Sequence, residues 1–223
     1  MEAEYEKKYY TGLEGYWWFI GRDDLIRKLL ARYSKPGASL LHIGCGNGKQ
    51  MEKFSGNGRN YGLDNSLSAL SLGSNLRIVN ADVNKMPFKQ KRFDTVLCLE
   101  VLEHLDNPEQ AVQEIRKVMK DNGTLIVSVP AFKMLWSTHD DINQHKHRFR
   151  IRELRRLITG QGFKPLKASY WNFFLFPLAM LMKMFKRLAT SRSDDLIRLP
   201  AIVNWLFAKL LLIENRLILN RFC

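Results

Sequence analysis

Leu25, Ile26, Leu29, Leu30 and Tyr33 recur at helical spacing behind Arg22-Asp23-Asp24, and Ser34-Lys35-Pro36-Gly37 stops them, so a leading amphipathic helix is predicted. Short apolar runs follow at 39–43, 60–63, 77–80, 93–99 and 124–129, the last behind an Asn122-Gly123 turn. Helical patterns separate them near 49–54 and over 108–120. Strand–helix alternation of this kind predicts an α/β fold with a doubly wound, mostly parallel sheet covered on both faces. Ligands of such sheets bind at the carboxyl ends of the strands, near the reversal of strand order.

After Pro130 the pattern changes. Residues 131–150 read as a polar loop rich in His and Arg, 152–159 as a basic helix ended by Gly160 and Gly162, and 163–171 as a further strand. Two apolar segments seeded with Lys and Arg then run to the end, broken by Pro177 and Pro200. The predicted division is 1–37 as an arm with the leading helix, 38–171 as the principal domain, and 172–223 as an apolar helical appendage.

Charge sharpens that division. Residues 1–130 hold 18 Lys+Arg against 16 Asp+Glu, a net +2, whereas 131–223 hold 17 against 6, a net +11 of the total +13. The basic part suggests an anionic partner: a phosphorylated substrate, a nucleic acid or an anionic membrane face. The three cysteines, Cys45, Cys98 and Cys223, are odd in number and far apart, which excludes a disulfide framework and a metal finger and fits a cytoplasmic setting. The charged N-terminus shows no apolar signal core. The longest uncharged run, 168–182, contains Asn172 and Pro177 and falls short of the roughly 20 apolar residues of a membrane span. The tail is therefore expected to pack on the domain or on a second copy, or to rest on anionic lipid at the inner membrane surface.

The chemistry gathers at the predicted strand ends. Gly44, Gly46 and Gly48 follow the first strand with G-x-G-x-G spacing, which lets backbone N–H groups approach a nucleotide-like cofactor. Lys49 occupies the position where a dinucleotide fingerprint requires its last glycine, and this weakens an NAD reading. Asp64 closes the second strand, where a carboxylate can accept ribose hydroxyls, Asp82 follows the third and Glu100 the fourth. Asp82 is placed to accept an exocyclic amine of adenine, with Val83 and Met86 offering apolar surface.

The segments LLHIGCGNG, YGLDNS, ADVNKMPFKQKRFDTVLCLEVLEHLDNP and NGTLIVSVP resemble the class I S-adenosylmethionine-dependent methyltransferases, in the branch of the ubiquinone and menaquinone biosynthesis enzymes, over roughly residues 38–130. The resemblance implies a Rossmann-like fold and S-adenosyl-L-methionine as cofactor. It places Gly44, Gly46 and Asn47 along the methionine portion, Asp64 on the ribose, Asp82 and Val83 at the adenine, and Glu100 beside the sulfonium. One position departs from the family pattern: His42 stands where an acidic residue usually helps hold the cofactor's ammonium, and it is read as packing. A narrower resemblance in WWFIGR and STHDDINQHKHRFRIREL is to bacterial and archaeal methyltransferases suspected of acting on glycans or lipid-linked intermediates.

A hydroxyl acceptor would also need a general base. The loop holding His139, Asp140, Asp141, His145, His147 and Arg148 is the reservoir, with His139 or His145 as base and Arg148 as anchor for an anionic substrate group. Glu100, Glu103 and His104 share one face if helical, yet are read as structural rather than as metal ligands. Tyr16, Trp17, Trp18 and Phe19 form either a lid over the cofactor or a staple for the leading helix. The expected activity is methyl transfer to a small-molecule or lipid- or glycan-linked, anionic acceptor. The rivals are an RNA methyltransferase, for which no RNA-binding module is visible, and a non-catalytic cofactor-binding protein that docks on membranes. Related sheets usually close with one more strand after such a tail, and here the sequence leaves a seventh strand either absent or unusually supplied.

Overall fold

The computed structural model describes residues 15–54, 58–71, 77–181 and 199–221. Five strands, β1 (Leu40–Ile43), β2 (Asn60–Asp64), β3 (Ile78–Asn80), β4 (Phe93–Leu99) and β5 (Met119–Ser128), form one sheet in the order β3-β2-β1-β4-β5. All neighbours run parallel, with Ile43 opposite both Leu63 and Cys98, and the β4–β5 register shifts between Phe93 and Thr95. Strand order reverses between β1 and β4, so a crevice opens above their carboxyl ends.

The central strands are covered on both faces, which is why they read as continuous apolar runs: β1 is buried at every position and β4 at all but Asp94. One face packs Leu41, Ile43, Leu63, Val96 and Cys98 against α4 (Pro108–Val118) through Ala111, Val112 and Ile115. Helix α4 starts where Asn107 Oδ1 accepts the Gln110 N–H and Pro108 supplies the first turn. The other face packs Leu40, Leu97 and Leu99 against Ile26, Leu29 and Leu30 of α1 (Trp17–Tyr33). Short helices α2 (Lys49–Phe54) and α3 (Leu67–Ser71) follow the first two strands.

One expectation is corrected. Residues 163–171 form no strand: Pro165 lacks the donor a ladder needs, 164–166 are exposed, and Lys167 Nζ and Trp171 Nε1 instead donate to Ile218 O and Asn215 Oδ1 of the C-terminal helix. The leading helix begins at Trp17, ahead of the Arg22-Asp23-Asp24 run behind which its apolar pattern was read, and Asn204 Oδ1, from the far end of the chain, accepts the Trp17 N–H at 2.8 Å.

The 131–150 region is a loop with one short helix, α5 (Thr138–Ile142), and a parallel bridge between Ala131 and Phe149. Helix α6 (Ile151–Gly160) is the expected basic helix. The tail forms helical residues 176–181 and a 21-residue helix, α7 (Ala201–Arg221), which packs along α1. Segments expected in the arm and in the appendage thus meet. Gly21 permits this approach, since a Cβ there would lie 2.4 Å from Leu211 Cδ1. Among the described residues no helix is long and apolar enough to cross a membrane.

Candidate functional site

The glycine loop leaves β1 with Gly44, Gly46 and Gly48 all at positive φ, a conformation costly for residues with a Cβ. At Gly44 a Cβ would also meet Val101 Cγ2 at 2.4 Å. Asp64, 9% exposed at the end of β2, latches this loop: its Oδ2 accepts the Gly46 N–H at 2.7 Å and its Oδ1 accepts the Ser66 N–H at 2.9 Å. Asn47 is buried, and its Oδ1 accepts the Lys49 N–H at 3.2 Å, turning the chain into α2. The loop is therefore a preformed cradle.

Asp82 is exposed beyond β3, with Oδ1 accepting from both Asn84 N and Asn84 Nδ2. Val83 and Met86 are buried in the core, so they support the loop from beneath more than they line an open surface. Glu100 ends β4 at φ 54°, an unusual backbone state for a residue with a side chain, and its Oε1 accepts the Ser128 Oγ–H at 2.7 Å across to β5. Gly44, Asp64, Asp82 and Glu100 thus stand at the carboxyl ends of successive strands, as a nucleoside thioether cofactor requires.

Beyond Glu100 lies a polar cluster. Glu103, fully buried, leaves both carboxylate oxygens without a hydrogen-bond partner among the described residues, and burial together with the Glu100 charge pushes its acid well above the usual range. Burial and the neighbouring His145 push His104 down to about 4. The His104 and His145 rings meet edge-on with centroids 4.7 Å apart. One ligand atom from each of Glu103, His104 and His145 lies within 4.8 Å of the other two, so His145 rather than Glu100 completes this triple.

Asp140 is the hub of the 131–150 loop. It is fully buried and accepts from His145 Nδ1 at 2.9 Å, Arg148 Nε at 2.7 Å, Arg148 Nη2 at 2.9 Å and Ser137 N at 2.8 Å. Burial pushes its acid up, but the His145 and Arg148 hydrogen bonds outweigh this and hold it below the ordinary carboxylate range. Arg148 spends its remaining nitrogen, Nη1, on Ala131 O at 2.9 Å. The geometry therefore gives Arg148 to Asp140, away from the substrate-anchoring role expected of it. His139 contacts Asn143 Nδ2 through its ring nitrogens at 3.2 Å, and its ring lies 6.1 Å from that of His145. Asp140 was visible in the sequence only as one polar loop residue; its burial is what gives it a role.

Sequence reasoning missed Arg22. Its guanidinium is 6% exposed, lies over the Trp18 and Phe19 rings at 4.7 and 4.9 Å, and leaves Nε and Nη2 without a hydrogen-bond partner among the described residues. Asp23 Oδ1 stands 3.8 Å from Nη2, too far for a hydrogen bond, while Asp23 Oδ2 takes Lys53 Nζ at 3.0 Å. The buried His42, two residues before Gly44, feels this charge: burial and Arg22 push it down to about 3, so it is neutral. A buried cation with donors unused among the described residues, whose charge is felt at His42 two residues before the glycine loop, suits an anionic group such as the carboxylate of a methionine portion. The aromatic run packs towards the C-terminal part and not the sheet: Trp17 meets Phe207 of α7, and Trp18 meets Trp171.

A doubly wound sheet, a G-x-G-x-G cradle and acids closing successive strands define a nucleoside-cofactor fold of the methyltransferase type. Residues 41–127 match the methyltransferase domain family. The chain is 35% identical over 158 residues to an uncharacterized protein of Methanocaldococcus jannaschii, covering 66% of this chain and 61% of that one. It is 27% identical over 168 residues to the ubiquinone biosynthesis O-methyltransferase of Photobacterium profundum, covering 60% and 72%. A crystal structure of a SAM-dependent methyltransferase from Archaeoglobus fulgidus shares the fold, with a TM-score of 0.56 at 18% identity over 88% of this chain and 89% of that one. Residues 41–127 are thus a class I S-adenosylmethionine-dependent methyltransferase domain, with S-adenosyl-L-methionine as its cofactor.

Proposed function

We propose that the methyl acceptor is a hydroxyl of a small-molecule or lipid-linked, anionic compound, and that His145 removes its proton. The observation that carries this reading is the Asp140–His145 pair. Asp140, held ionised, accepts the Nδ1–H of His145 at 2.9 Å. That bond fixes the tautomer whose Nε2 lone pair is a base, and it stabilises the imidazolium formed on protonation. When bound, the cofactor supplies a methyl group already activated by its sulfonium, so the protein's work is to orient, exclude water and take a proton.

Arg148 contributes by pinning Asp140 through two nitrogens. The exposed Arg150, Arg152, Arg155 and Arg156 supply the positive field that draws an anionic acceptor. The O-methyltransferase name of the Photobacterium relative points to the same acceptor atom.

The test follows adenosylhomocysteine release over a panel of phenolic, catechol and polyprenyl-phosphate-linked acceptors. His145→Ala should lower turnover by about 10² to 10⁴ on whichever hydroxyl the native enzyme methylates, with adenosylhomocysteine affinity unchanged by calorimetry. Asp140→Asn should follow it in part. Turnover at the native rate in His145→Ala, or turnover confined to amine or carbon acceptors, overturns the reading.

A further inference from the structure

Helix α7 is apolar on its outer side as well as its inner one. Its inner side mixes the buried Ala208, Leu211 and Leu219 with polar residues: Asn215 Nδ2 donates to Gly21 O and Asp24 Oδ2, Asn204 Nδ2 donates to Gly15 O, and Glu214 accepts from Phe173 N and Phe174 N. Its outer face carries Ile202, Trp205, Leu206, Ile213 and Leu217, between 38% and 70% exposed. A helix that spends its hydrogen bonds inward and presents a stripe of large apolar groups outward is not organised for water on that side.

Glu214 ties a second element to this stripe. By holding the two backbone N–H groups it fixes the turn that displays Phe173 and Phe174, and the helical residues behind it display Leu178 and Leu181. Lys209 and Arg216 lie exposed among the apolar groups of α7, with Lys209 Nζ 5.6 Å from the centroid of the Trp205 ring. The one acid of the helix, Glu214, is 3% exposed and engaged on the inner side. The surface is therefore apolar and cationic, with no carboxylate of its own helix facing out.

We propose that the outer stripe of α7, together with residues 173–181, docks this protein in the interfacial plane of an anionic lipid bilayer. Charge selects this occupant over a second copy of the chain. Two stripes facing each other would bury Lys209 and Arg216 against a helix face that offers no carboxylate, whereas an anionic headgroup layer neutralises both and the acyl boundary takes the apolar groups. The net +11 of residues 131–223 extends the same attraction. A 21-residue helix is about 32 Å long, enough to lie along the surface and anchor at several points. The proposal holds whatever the methyl acceptor proves to be.

The experiment uses the full chain with vesicles of phosphatidylcholine alone and of phosphatidylcholine with phosphatidylglycerol, read by flotation. The expected result is strong partition to the anionic vesicles and weak partition to the neutral ones. Lys209→Gln with Arg216→Gln should weaken partition about 25-fold, taking roughly fivefold per basic group near the surface. Ile202→Ser with Leu206→Ser should weaken it at least tenfold, and lipid-borne bromine should quench a fluorescence component that Trp205→Phe removes. Each variant should retain adenosylhomocysteine binding, because the altered side chains are exposed and away from the cofactor loop. Absence of partition, partition indifferent to these substitutions, or a self-association in sedimentation equilibrium that they abolish overturns the proposal.

Discussion

Arg22→Met separates a structural arginine from one kept for a ligand, because the two roles predict opposite signs. Methionine retains an unbranched stem against Trp18 and Phe19 but removes the guanidinium of a residue only 6% exposed, two of whose nitrogens find no hydrogen-bond partner among the described residues. In the cofactor-free protein the lost cation–π contacts cost about 0.5–2 kcal/mol. Release of an incompletely paired buried charge offsets that. The melting temperature without cofactor should therefore stay within about 4 °C of the native value or rise, at roughly 2–4 °C per kcal/mol for a chain of this size.

Binding should move the other way. A charge-assisted hydrogen bond to the cofactor carboxylate contributes about 1.5–3 kcal/mol, so calorimetry should show adenosylhomocysteine bound about 10- to 150-fold more weakly. Arg22→Lys keeps the charge without the forked donors and should fall between the two. His42 offers a second readout, since removal of the Arg22 charge should raise its pKa from about 3. An affinity within twofold of native, or a loss of about 8 °C or more in the cofactor-free melting temperature, would show that Arg22 serves the fold alone and would refute the reasoning.

Gly44→Ala places a Cβ at φ 69° and 2.4 Å from Val101 Cγ2, so adenosylhomocysteine binding should drop by more than tenfold in calorimetry while the sheet persists by circular dichroism. Acid should destabilise the protein in two windows. His42, neutral in the fold with a pKa of about 3 against about 6.5 unfolded, favours the unfolded chain as pH falls between those values, by up to about 1.4 kcal/mol per pH unit, and His42→Gln should flatten that slope in denaturant titrations. Burial raises the Asp94 acid, but hydrogen bonds from Lys120 and Ser39 outweigh it and hold it at about 2. Its contribution is thus present above pH 4 and lost as pH falls towards 2, a step that Asp94→Asn should remove. Gly21→Ala drives a methyl group into Leu211 and should cost about 1–3 kcal/mol in the same titrations, with α1 and α7 forced apart.

The sheet was legible because its central strands are buried on both faces, so β1 and β4 announce themselves as apolar runs and the glycine loop marks where the first one ends. Asp64, Asp82 and Glu100 follow from the same reading, being simply the acids at strand ends. What the sequence hid depends on partners distant in the chain. The N–H at the start of α1 is taken by Asn204, 187 residues away, and no local residue announces it. Residues 163–171 carry aromatic and apolar groups as a strand would, yet Lys167 and Trp171 are claimed by α7, a competition invisible to periodicity. Arg22 reads as one more charge ahead of a helix face. Only its burial against the Trp18 and Phe19 rings distinguishes it.

The polar cluster past β4 shows why cofactor and acceptor chemistry can coexist so closely. Glu100 ends β4 and bonds Ser128, and its negative charge is one reason Glu103 holds its proton; Glu103 O in turn accepts the backbone N–H groups of Lys146 and His147 at 2.7 and 3.1 Å. The loop that carries His145 is thus fastened by backbone to the segment that carries Glu100. Were Glu103 ionised, three carboxylates and two imidazoles would compete within one buried cluster, and Asp140 would no longer be the clear destination of the His145 Nδ1–H. With Glu103 neutral, Asp140 is the anion bonded to His145, while Glu100 accepts from Ser128. The division follows from the partners each buried acid is given: Asp140, with an arginine and several N–H donors, is held below the usual carboxylate range, and Glu103, whose oxygens find no hydrogen-bond partner among the described residues, is pushed well above it.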